Sequence, residues 1–149
     1  MRTFLGVWFM TRSSLLSVLI AASAFVSSAA CGSTLLGKWT LSVENPEHRA
    51  VATLKVEFTD ETAKSCLGGD WKVVKVVSAS TLDENFFPTS DPLAYRIENQ
   101  QLTIGRNEEC DAYLLLEGAL NGPTVIGKYR TLGQLGSSQL GYFSLSQSF

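Results

Sequence analysis

The stretch that decides the fold is Leu93-Ala94-Tyr95-Arg96-Ile97-Glu98-Asn99-Gln100-Gln101-Leu102-Thr103-Ile104. Leu93, Tyr95 and Ile97 alternate with Ala94, Arg96 and Glu98, the period of two expected of a half-buried strand. Asn99-Gln100 supplies a two-residue turn, and Leu102 and Ile104 resume the alternation on the return. Alternating runs joined by such a turn predict a β-hairpin.

The same rhythm extends in both directions. Toward the N-terminus, residues 51–58 (VATLKVEF) place Leu54, Val56 and Phe58 on one face and Thr53, Lys55 and Glu57 on the other. Residues 37–43 (GKWTLSV) read as a first strand. Residues 71–78 (WKVVKVVS) read as a third, with alternation broken at Val73-Val74, as a bulge or burial on both faces would cause. Residues 81–91 form the longest irregular stretch. Toward the C-terminus, residues 111–116, 124–130 and 141–145 complete eight short strands, separated by turn-forming clusters such as Asn121-Gly122-Pro123. No helical periodicity is visible beyond residue 30. Eight sequential strands with hairpin-length connections predict an all-β fold, a small antiparallel up-and-down barrel whose closure removes exposed edges. A two-sheet sandwich is the alternative.

Residues 1–30 read differently. Arg2 and Arg12 are the only charges before Lys38. An apolar run through Leu15, Leu16, Val18, Leu19 and Ile20 leads to Ser27-Ser28-Ala29-Ala30. A basic start, an apolar core and a small-residue end describe a secretory signal peptide. An uncleaved transmembrane anchor is the alternative, because the uncharged stretch is long enough to span. Cleavage leaves residues 31–149 as one domain of 119 residues, with 10 basic and 14 acidic side chains and a net charge of −4. That balance argues against nucleic acid as a partner.

Export places Cys31, Cys66 and Cys110 in an oxidising compartment, where three is an odd number. Ser28-Ala29-Ala30-Cys31-Gly32-Ser33 resembles the lipobox of bacterial lipoproteins, in which the cysteine carries lipid. It departs from the commonest form in having Ser28 where leucine is usual. Lipidation of Cys31 would leave Cys66 to pair with Cys110. A strict meander opposes that bridge, because it sets the two cysteines at opposite barrel ends, beyond the roughly 7 Å Cα limit. The long 81–91 connection could relieve this; Cys31–Cys66 is the alternative pairing, because both cysteines precede strands that start from the same end.

Gly37-Lys38-Trp39, preceded by Leu35-Leu36, resembles the G-x-W signature of lipocalins and related calycin barrels. In that superfamily the tryptophan closes one end of the barrel and packs against the last strands. Bacterial lipocalin-like lipoproteins are similar in placing L-L-G-x-W a few residues after a lipid cysteine. The chain lacks a T-D-Y element and an arginine after the last strand to stack on Trp39, for which Arg130 is a poor substitute. Its short length is closer to the avidin-like and bacterial metalloprotease-inhibitor branches, although the biotin-contacting pattern of avidins is not matched.

Chemical motifs are sparse. His48 lies in a turn, Asn45-Pro46-Glu47-His48-Arg49, without an evident base or nucleophile partner. Metal-ligand spacings, G-x-S-x-G and phosphate-binding loops are absent from the sequence. The acidic clusters Asp83-Glu84 and Glu108-Glu109 with Asp111 lack the order of a calcium loop and read as loop charges. No enzyme, cofactor or metal is therefore expected. Trp39, Phe58, Trp71, Tyr95, Tyr113, Tyr129 and Phe143 fall on or beside strands. They would line a cavity for a small apolar ligand or fill the core of a small barrel. The resemblance and these aromatics imply an exported, monomeric, non-catalytic binding protein that is periplasmic, anchored to the outer membrane through Cys31, or secreted. The alternative is a protein-binding inhibitor of protease-inhibitor or immunity type, acting on an envelope protein through loops or the arm of residues 32–36.

Overall fold

Alternation places each strand's apolar side chains on one face, and eight such faces close around a common interior. The computed structural model describes residues 35–110, 113–133 and 136–148. Residues 1–30, expected to be a signal peptide, and Cys31 lie outside these residues, as does Asp111. Among the described residues there is no helix. The strands are β1 (Gly37–Glu44), β2 (Ala50–Ala63), β3 (Trp71–Thr81), β4 (Leu93–Glu98), β5 (Gln101–Arg106), β6 (Tyr113–Ala119), β7 (Thr124–Gly133) and β8 (Gly136–Gln147). Each pairs antiparallel with its sequence neighbour, and β1 pairs with β8 from Trp39↔Gln147 to Glu44↔Tyr142, closing the barrel. The expected up-and-down barrel is the observed fold.

The β4–β5 hairpin has the expected register, Leu93↔Arg106 through Glu98↔Gln101. Asn99 and Gln100 both adopt positive φ, 50° and 63°, as a two-residue turn matched to strand twist requires. Of the two causes suggested for the break at Val73-Val74, burial on both faces applies there, while a bulge lies further along the strand. Val77 is an extra residue where the register with β2 shifts between Lys55↔Ser78 and Val56↔Val76. Val74 is buried on the inner face, while Val73 is half-buried on the outer one.

The interior is filled. Leu41, Val43, Leu54, Val56, Phe58, Leu102, Ile104, Tyr129, Phe143 and Leu145 are all essentially inaccessible to solvent. Gly127 and Gly118 make room for the Phe143 ring: a Cβ on Gly127 would lie 2.4 Å from Phe143 Cε1 and 2.1 Å from the Glu117 carbonyl oxygen. Trp39, Phe58 and Tyr95 interlock edge-to-face, with ring centroids 6.3 and 4.8 Å apart. Such a pair adds about 0.5–1.5 kcal/mol beyond its buried area.

A second, smaller cluster lies on the outside of the wall. Ala94 faces away from Leu93 and Tyr95, and it joins Trp71, Tyr113 and Leu115. Two small wall residues create this site. Ala94 is one, and the other is Gly105, its partner across the β4–β5 ladder. A Cβ on Gly105 would lie 2.7 Å from Tyr113 Oη. Over this thin patch the β2–β3 and β5–β6 connections meet. Lys64 N donates to Asn107 Oδ1 at 2.9 Å, and Glu108 N donates to the Lys64 carbonyl at 3.0 Å. Cys66 and Cys110 are disulfide-bonded there, with Cα atoms 5.5 Å apart. The conflict between this bridge and the meander disappears because the long connection after β3 carries the chain back along that strand: β4 begins at Leu93 opposite Val74, and Arg106 at the end of β5 lies opposite Leu93, so the β5–β6 loop comes within reach of the β2–β3 loop.

Candidate functional site

The irregular stretch between β3 and β4 is an ordered plug. Two carboxylates organise it. Asp83 Oδ1 accepts from the backbone N–H groups of Asn85 and Phe86, at 3.0 and 3.2 Å. The Glu84 carboxylate accepts from Thr89 N at 2.8 Å, Ser90 N at 3.3 Å and Thr89 Oγ1 at 3.1 Å. Both are exposed loop charges, as the sequence presents them. They also satisfy backbone donors of the connection, as Asp commonly does in turns.

So folded, the connection lowers Phe86 and Phe87 onto Tyr129. Their ring centroids lie 5.4 and 5.5 Å from that of Tyr129, and both pairs are edge-to-face. Phe87 is only 2% exposed. Tyr129 Oη donates to the Phe86 carbonyl, and burial pushes the phenol well above its ordinary range. At the rim, the Arg106 guanidinium pairs with Asp91, their side chains 14% and 21% exposed. Beside this pair is a cleft lined by residues including Phe87, Pro88, Leu93, Ile104 and Leu116. It measures about 260 Å³ with the solvent at its mouth included, and its enclosed part holds about one water molecule.

Of the seven aromatics expected to line a cavity, Trp39, Phe58, Tyr95, Tyr129 and Phe143 share the barrel interior. Trp39 is fixed by a 2.9 Å hydrogen bond from Nε1 to the Leu35 carbonyl. Tyr95 Oη donates to the Thr59 carbonyl at 2.9 Å. That carbonyl lies where β2 carries extra residues between Phe58↔Val74 and Thr62↔Lys72. Trp71 and Tyr113 are not interior residues. Trp71 Nε1 donates to the Gly68 carbonyl at 2.6 Å, and the Arg96 guanidinium lies over its ring, 5.0 Å from the centroid. Tyr113 Oη shares a 2.8 Å hydrogen bond with Ser65 Oγ and donates to the Arg106 carbonyl at 3.0 Å. Alternation across an intact strand separates the two sets, and one sequence cannot reveal which face a loop will cover.

Phe87, Asp91 and Arg106 were not singled out from the sequence. The available signal was Phe86-Phe87-Pro88 inside an otherwise polar connection, because adjacent large apolar residues in a loop are seldom left in water. His48 stacks on Tyr142 with centroids 4.2 Å apart and lies 3.2 Å from Glu44 Oε2. Arg130, weighed as a stacking partner for Trp39, instead meets Glu117 at 3.3 Å.

These features define a small closed antiparallel β-barrel with a plugged interior and a disulfide-clasped outer wall. No family model, curated protein or solved structure matches the chain.

Proposed function

We propose that this is an exported, non-catalytic binding protein of the cell envelope, and that its partner is a protein engaged through the loops and ends of the barrel. The observation that carries the reading is the filled interior. With Phe87 seated against Tyr129, the enclosed part of the cleft beside it holds about one water molecule, far less than a small-molecule pocket needs. Recognition is then left to the exterior. The Cys66–Cys110 bridge accords with an oxidising compartment. Lipidation at Cys31 would tether the barrel to a membrane.

A second reading, a small apolar ligand held beneath the 82–92 connection, is favoured by the apolar lining of the cleft. It requires Phe87 to swing out. Native mass spectrometry of the protein isolated from its host separates the two. A stoichiometric complex with another polypeptide, and no small adduct, is the expected result. A retained small molecule on an otherwise single chain would overturn the protein-partner reading and establish the second.

A further inference from the structure

The barrel has one wall strand that is only partly covered. β3 runs for 11 residues, yet only Lys72, Val73 and Val74 pair with β4. From Lys75 to Thr81 the strand has β2 on one side. On the other side, no backbone hydrogen bond to a described residue is made. Val77, Ser78, Ala79 and Ser80 are exposed whichever face they occupy. Val77 is 59% exposed and Leu82, just beyond the strand, 86%. Native sheets usually guard such an edge with charge or proline. From Val76 to Leu82 this chain has neither. Its one irregularity, at Val77, leaves Ser78, Ala79, Ser80 and Thr81 in unbroken register with Lys55, Leu54, Thr53 and Ala52.

We propose that this edge pairs with the same edge of a second copy, antiparallel about Ala79. A twofold axis sets each residue against the one equally far on the other side of the centre. The run Lys75-Val76-Val77-Ser78-Ala79-Ser80-Thr81-Leu82-Asp83 matches itself under that operation. Within the strand, Ser78 faces Ser80 of the other copy and Val77 faces Thr81; just beyond its end, Leu82 and Asp83 come opposite Val76 and Lys75. The pairs are small with small, β-branched with β-branched, apolar with apolar, and cation with anion. Like charges oppose one another nowhere in this register, which is the condition for a stable cross-strand ladder. The chain then associates as a twofold dimer with a sheet continuous across the interface, in place of the monomer expected from the sequence.

Sedimentation velocity on the purified chain tests this. The sedimentation coefficient should rise with concentration toward that of a dimer, and amide hydrogen exchange across residues 76–82 should slow over the same range. Replacing Ser78 and Ser80 together by Lys sets like charges opposite each other and should weaken self-association at least about tenfold. Replacing both by Glu should do the same, and mixing the two variants should restore a dimer. Both positions lie on the exposed edge, so circular dichroism should be unchanged. A chain that stays monomeric up to about 1 mM would overturn the proposal. So would concentration-independent exchange at residues 76–82, or a Lys variant that dimerises as well as the parent.

Discussion

Tyr129 Oη donates a 2.6 Å hydrogen bond to the carbonyl of Phe86, 43 residues earlier in the chain, and this bond ties the β3–β4 connection to the barrel floor beneath it. The phenol sits among Phe86, Phe87 and the apolar interior, so its ionisation in the folded state is opposed by burial.

That burial makes stability sensitive to alkali. The folded-state pKa lies above the unfolded value of about 10, so above pH 10 the unfolded chain releases a proton that the folded chain retains. The stabilisation is fully present below about pH 10 and is lost as pH rises toward the raised folded value. Tyr95 and Tyr113, also raised mainly by burial, act in the same direction. Tyr129→Phe should cost about 1–2 kcal/mol at pH 7, because it strands the Phe86 carbonyl. It should also flatten the loss between pH 10 and 12. Urea denaturation at a series of pH values checks both effects; an unchanged alkaline slope would show that Tyr129 ionises freely in the folded chain.

Phe87→Ala should remove the plug without breaking the wall. We expect a loss of about 3–5 kcal/mol and the appearance of a cavity continuous with the cleft by Leu93 and Ile104. Uptake of a small aromatic probe by the variant but not by the parent, read by NMR shifts of Ile104 and Leu116, is the measurement.

Trp39→Ala should cost about 3–5 kcal/mol, since the ring is buried against Phe58 and its N–H is bonded to Leu35. A denaturation midpoint equal to that of the parent would show that the ring does not seal its end of the barrel.

Much of this was legible in the sequence, and the reason is local. In β2 and β4 the side chains alternate because one face meets the interior and the other meets water, so period and burial coincide. The Asn99-Gln100 turn was legible because two residues between alternating runs leave little choice of geometry. Trp71 and Tyr113 were misassigned to the interior because their faces are buried by loop residues 64–70 and 107–110, and loop coverage leaves no periodic trace. The same is true of Phe87, which is buried by a connection whose path depends on the hydrogen bonds of Asp83 and Glu84. Parity and compartment left Cys66–Cys110 and Cys31–Cys66 both open, and the location of the observed bridge depended on Ala94 and Gly105, two wall residues too small to attract notice.

Gly105→Ala tests that dependence. The added methyl meets Tyr113 Oη at 2.7 Å and Cε1 at 2.9 Å, so the ring must move and give up its bonds to Ser65 and Arg106. We expect a loss of about 1–3 kcal/mol. Chemical-shift changes should be confined to Trp71, Tyr113 and the loops above them. Changes centred on Phe143 or Leu102 instead would place the disturbance inside the barrel.

Replacing Cys66 and Cys110 together by Ser releases a 44-residue loop and should destabilise the chain by about 4 kcal/mol in the chain-entropy account. Thermal unfolding of the oxidised parent and the double variant measures the difference. A shift of less than about 1 °C would mean that the clasped loops are held by their backbone bonds alone.

The clasp lies on the solvent side of the wall, and both of its cysteines are exposed. Chemistry at the sulfurs is therefore independent of access to the hydrocarbon interior. An oxidant at the surface can join them on a chain whose strands have already assembled, and a reductant can part them without admitting water to Phe58 or Leu102. Maturation can proceed in two separable events, first the closing of the barrel, then the fastening of its outside.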